Sequence, residues 1–278
     1  MKQLLIVVVA LLYGLLGMAS GSKTAYASSP DSSLYSSTYE RELFEKLNRQ
    51  ETVSDMAFFL ALDFKPSYAG IESRLKTDFE ELKVLVEKQS KVNKKIQRIY
   101  SWVHKKYFNR YKERAFFADI FDNGDYNCVT ATALYALAFE ACGLPYTIKA
   151  SQNHVYLVAD PGSTSFVIET TTPIQGVTAF NQDFKSRYVK HLRDSKIISQ
   201  EEFQQQSVDA LFAKHYLTHT DIPLRELAGL HYYNQSVFAV QDEQLAPALQ
   251  SIEKAVLLTQ HAAVGFLHKA ILIDLLSA

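Results

Sequence analysis

The stretch Asn127–Pro173, NCVTATALYALAFEACGLPYTIKASQNHVYLVADPGSTSFVIETTTP, decides the fold. It opens with an asparagine suited to cap a helix and closes that helix with Gly143 and Pro145. Between them, Val129, Ala133, Leu134, Leu137, Ala138 and Ala141 give Cys128 to Cys142 a small-residue apolar face for close packing. The segments 146–150, 154–159 and 166–170 carry β-branched and aromatic residues, and Pro161-Gly162 signals a turn between the last two. A helix followed by antiparallel strands predicts an α+β fold.

The same stretch sets out a thiol, an imidazole and a carboxylate. Cys128 opens the helix, where unpaired N–H groups and the helix dipole favour a thiolate. His154 opens one strand and is placed to exchange a proton with the thiol. Glu169 closes the next and is expected to face His154 across the Pro161-Gly162 turn, where it would orient the imidazole. A packed small cysteine and a polar edge histidine are the structural alternatives.

Upstream, Ser28 to Thr38 is a Ser-rich leader, and a helix is expected from Tyr39 with Leu43, Phe44 and Leu47 on one face. Ser54 is a candidate N-cap for the apolar run to Leu62, Pro66 and Gly70 mark a loop, and Glu72 to Lys88 resumes helical periodicity. Val92 to Tyr111 predicts a basic amphipathic helix with Ile96, Ile99, Tyr100, Val103 and Tyr107 as its apolar stripe. Its lysines and arginines fit a solvated face better than a membrane-surface or anionic-polymer contact. Phe116 to Asp125 is expected to be a loop.

Downstream, Asp183 to Asp194 is charged and aromatic without a clear period. Beyond Glu201 helix predominates: Val208, Leu211, Phe212 and Tyr216 share a face, Leu224 to Val240 and Gln244 to Leu258 suggest a hairpin, and another helix begins near Ala263. His215 and His219, four apart, raise a metal pair with Asp221 as third ligand. They lack the glutamate of an HExxH pattern, so helix-end histidines are the preferred reading, with no metal and no cofactor expected.

Hydrophobic residues make up 47% of the 278 residues and charged ones 21%, ordinary values for a folded protein. A net charge of −1 gives no sign of a nucleic-acid partner. Lys2, the apolar run Leu4 to Leu16 and Ala25-Tyr26-Ala27 have the layout of a signal peptide over residues 1–27, with an uncleaved N-terminal anchor as the other reading. Cleavage removes Lys2 and Lys23, so 29 basic residues become 27 against 30 acidic, or −3. The expected compartment is periplasmic or extracellular, with no stable membrane span once the signal is gone. Cys128 and Cys142 are 14 residues apart on one helix. That is ~21 Å at 1.5 Å per residue, against the ~7 Å limit for a disulfide. Cys128 is therefore expected to be a free thiol and Cys142 a small buried residue at the helix end.

Asn127-Cys128 through Gly143-Leu144-Pro145, with Asn153-His154-Val155 and Ile168-Glu169-Thr170-Thr171, resembles the transglutaminase-like superfamily. The likeness is to its bacterial branch with preceding helices and following tetratricopeptide-type repeats. It covers roughly residues 90 to 175. It implies a papain-like thiol site with Cys128 as nucleophile, His154 as base and Glu169 as orienting acid, although aspartate is usual at the last position. It also implies an α+β papain/transglutaminase-like core, a helix on an antiparallel sheet, at 90–195. N-terminal helices at 28–89 and tetratricopeptide-like (TPR-like) helices at 200–278 would flank that core. The repeat likeness rests on Tyr232, Ser236 and Ala239 in one helix and Ala248, Ile252 and Ala255 in the next.

The expected activity is cleavage or transfer of an amide bond in a peptide, protein or cell-wall-like substrate. The backbone N–H of Cys128 would donate to the oxyanion, with a second donor from the loop 121–127 or from Trp102. The alternative is a catalytically inactive transglutaminase-like binding module whose C-terminal helices hold a protein partner.

Overall fold

A computed structural model describes residues 34–151, 154–160, 165–171, 176–179, 181–216 and 219–277. The signal-like segment 1–27, Asn153 and the Pro161-Gly162 turn lie outside the described residues. Helices α1 (Thr38–Asn48), α2 (Asp55–Ala61), α3 (Ile71–Glu87) and α4 (Val92–Tyr107) come first. The expected stripe of α4, from Ile96 to Tyr107, is its buried face. Ser54 stands at the N-cap of α2, yet its side chain makes no capping bond. The expected loop at Pro66–Gly70 is a 3-10 turn, because Pro66 presets the φ of its first residue.

Helix α4 ends before Tyr111. Arg110–Tyr111 becomes strand β1 and pairs in parallel with β2 (Asp125–Tyr126), closing off the short helix α5 (Asp119–Asp122). Helix α6 (Cys128–Ala141) follows directly. Its stop is the expected one: Gly143 takes φ +65°, and the N–H of Leu144 reaches back to Phe139 O.

The sheet is fully antiparallel in the order β6-β5-β4-β3-β7, comprising β3 (Tyr146–Ala150), β4 (Val155–Ala159), β5 (Phe166–Ile168), β6 (Val177–Ala179) and β7 (Thr220–Ile222). The chain is thus α+β, and both outer strands went unanticipated. All of β4 is buried because helices cover both faces. Val155, Leu157, Ala159 and Ile168 join the core built around α6, whereas Tyr156, Val158 and Val167 pack under α7 (Gln182–Asp194), α8 (Gln200–Gln205) and α9 (Val208–His215). The unassigned segment 183–194 proves to be α7, capped by Asn181 and anchored through Val189 and Leu192.

Helices α10 (Leu224–Gln241) and α11 (Leu245–Leu258) form the expected hairpin, joined where Ser236 Oγ donates to Ala248 O at 2.8 Å; α12 (Ala262–Ser277) follows. Their core is shared with α1–α4 and α6, and Tyr35–Ala278 forms one compact unit. Glu40 on α1 and Lys254 on α11 meet inside it at 3.0 Å. Among the described residues no helix is long and apolar enough to cross a membrane.

Candidate active site

The site is built on the α6 N-terminus. Asn127 Oδ1 accepts from Thr130 N at 3.0 Å while Thr130 Oγ1 accepts from Asn127 N at 2.9 Å, a reciprocal capping box. The Asn127 amide also donates to Glu113 O and Ala115 O at 3.0 Å, tying the cap to the preceding loop. Arg110 grips buried Asp125 with two bonds of 2.9 and 2.8 Å, which hold that carboxyl below its ordinary range. Cys128 therefore projects from a turn braced on both sides. Both cysteines are free and half-buried, and burial pushes the Cys142 thiol up to about 11.

Thr132 brings the sheet to the cysteine. It lies one turn beyond Cys128 on the same helix face. Its hydroxyl donates to Val155 O at 3.3 Å and contacts Thr170 Oγ1 at 3.2 Å, the residues adjoining His154 and Glu169. Its sequence signal was a hydroxyl at i+4 from the cysteine in an alanine-rich helix. Ser151 fixes the other approach, its N–H and hydroxyl both donating to His154 O, at 2.8 and 3.0 Å.

His154 Nε2 and Glu169 Oε1 are 2.9 Å apart, and Thr171 Oγ1 donates to the same carboxylate oxygen at 3.2 Å. Cys128 lies near enough to the His154 ring to favour its protonated form. Three residues distant in sequence are thus brought together. Burial disfavours charge on His154, but the bonds and charges of Cys128 and Glu169 outweigh it and raise its pKa to about 10. Burial likewise opposes the Glu169 charge, and the His154 contact with the Thr171 bonds reverses that, leaving its pKa lowered. The arrangement can hold a proton on the imidazole beside a carboxylate and a sulfur.

The expected facing of His154 and Glu169 needs correcting. The β4–β5 ladder runs Ala159↔Phe166, Val158↔Val167, Leu157↔Ile168, so its next step puts Glu169 opposite Tyr156. His154 lies two residues further on, and the longer glutamate reaches it diagonally. The loop 121–127 is also a poor donor source, since the N–H groups of 121–125 and Asn127 are bonded within the loop, its flanks and the capping box. Trp102 lies elsewhere, edge-on to Tyr107 and beneath Lys106.

The two histidines take different partners, His215 lying 3.7 Å from Glu202 Oε1. Helix α9 ends at His215, and His219 bonds the Tyr156 hydroxyl at 2.8 Å while Asp221 pairs with Lys149. Two neighbours of the triad were missed. Tyr111 lies near enough to Cys128 for the thiolate to add to burial in raising its phenol pKa. Tyr156, buried, lies nearly parallel to the His154 ring with centroids 6.1 Å apart. Compared with known proteins, the chain matches no family model, no curated protein and no solved structure.

Proposed function

We propose that this protein is an exported thiol hydrolase or acyltransferase with a transglutaminase-like, papain-type core and TPR-like C-terminal helices. The observation that carries the reading is the assembly of Cys128, His154 and Glu169 at the capped N-terminus of α6. In this mechanism the Cys128 thiolate attacks an amide carbonyl and forms the acyl-sulfur bond. The Cys128 N–H, at a helix position with no intrahelical acceptor, stabilises the oxyanion. His154, kept protonated by Glu169, gives its proton to the departing amine. It then takes one from water or a second amine as that nucleophile releases the acyl group.

The test is alkylation of the mature protein by iodoacetamide at pH 6, followed by intact mass. A free thiol of pKa ~8.5 is only about 0.3% thiolate there. Labelling of Cys128 at least tenfold faster than a free thiol, lost in His154→Ala, supports the reading. Free-thiol speed in both proteins overturns it and leaves the inactive binding module.

A further inference from the structure

Between the sheet and helices α7–α9 lies a cavity of about 940 Å³, near the top of the range of about 300–1,000 Å³ usual for small-ligand pockets. It occupies the face of the sheet opposite α6. His154 stands just ahead of β4 at the sheet's end and lines the cavity together with Glu169, while Cys128 lies near enough to favour its protonated form. Tyr156, Phe184, Tyr188 and Tyr216 supply aromatic walls.

The charges are unequal. Among the described lining residues Glu169 is the one carboxylate, and its charge is engaged by His154. Arg187, exposed at the rim, forms no ion pair among the described residues. Elsewhere on α7, Lys185 pairs with Asp209 and Arg193 with Asp194, both at 2.7 Å. His191 and His219 add ring nitrogens to the same cavity. A guanidinium with no ion-pair partner among the described residues, beside aromatic walls, suits a planar carboxylate on an otherwise apolar chain.

We infer that this cavity is the acyl-side subsite, and that it takes a short peptide-like chain bearing a carboxylate, which Arg187 receives at the rim. The inference rests on the thiol reading of Cys128.

Two chloromethyl ketones test it, succinyl-Ala-Ala and acetyl-Ala-Ala, which differ in the terminal carboxylate. Their rates of Cys128 alkylation are compared in the wild type and in Arg187→Gln, with iodoacetamide reporting the thiol independently. The expected result is a preference of about fivefold or more for the succinyl reagent that falls to near parity in Arg187→Gln, with the iodoacetamide rate unchanged. Equal rates in the wild type, or a preference that survives Arg187→Gln, overturn the subsite while fast iodoacetamide labelling still upholds the thiol. Iodoacetamide labelling at free-thiol speed removes both.

Discussion

His154 and Glu169 are joined at 2.9 Å although the sheet register sets them two residues out of step. The carboxylate must therefore cross diagonally, which one methylene more than aspartate allows. Glu169→Asp is expected to lose the contact, and Glu169→Gln to keep the shape without the charge. Loss of a charge-assisted bond is worth about 1.5–3 kcal/mol, so iodoacetamide labelling of Cys128 at pH 6 should slow roughly ten- to a hundredfold in both variants. If the aspartate variant labels like the wild type, the diagonal reach has no role.

The same pair gives stability a pH dependence. The folded His154 pKa, about 10, exceeds its ordinary 6.5, so its contribution is complete below 6.5, declines above it and is gone beyond about 10. Glu169, lowered from 4.5, contributes fully above that value and loses its share as the pH falls. Both side chains are about one-third exposed, which reduces the size of the effect. The pair's own contribution, read as the difference in urea midpoint between the wild type and Glu169→Gln, should be largest between about pH 4.5 and 6.5 and shrink toward pH 10.

Gly176 bears on the triad through Glu169, whose N–H donates to Gly176 O at 2.8 Å. A Cβ at position 176 would lie 1.8 Å from Tyr100 Cζ. Gly176→Ala should cost about 1–3 kcal/mol and slow Cys128 labelling by displacing Glu169. Adding Tyr100→Ala opens the space, so the double variant should label faster than Gly176→Ala alone. Additive losses would show that the clash is relieved elsewhere.

His231 is fully buried, and neither ring nitrogen has a hydrogen-bond partner among the described residues. Burial pushes its pKa down to about 3. The unfolded chain binds the proton first, so stability is complete above about 6.5 and falls as the pH drops toward 3, by roughly 5 kcal/mol at most. His231→Leu should raise the melting temperature at pH 4 more than at pH 7.5. An equal change at both would mean that the ring does not titrate.

Buried Glu40 receives hydrogen bonds from buried Lys254 at 3.0 Å and Tyr232 at 2.9 Å, and from the N–H of exposed Ser36 at 2.7 Å. Lys254→Ala strands a buried carboxylate and should cost about 3–5 kcal/mol. Lys254→Met combined with Glu40→Leu should recover most of that loss. Urea denaturation of the singles and the double measures the coupling. A harmless Lys254→Ala would show that the pair carries no stability.

The local signals of the sequence determined helix α6 and its surroundings. Asn127 and Gly143 mark its ends, alternation marks Tyr146–Ala150, and three-four spacing marks the buried stripe of α4. Caps, turns and periodicity act between neighbouring residues, so they are legible without the fold, and they sufficed to single out Cys128, His154 and Glu169. Tertiary structure decided what depends on packing at a distance. Three residues at Thr220–Ile222 become a strand because the edge of β3 offers unpaired backbone groups. That pairing sets the direction in which the chain carries His219 to Tyr156. The β4–β5 register, the diagonal from Glu169 to His154 and the charge of the cavity beneath α7 follow from the summed burial of two sheet faces. No short window of sequence records that sum.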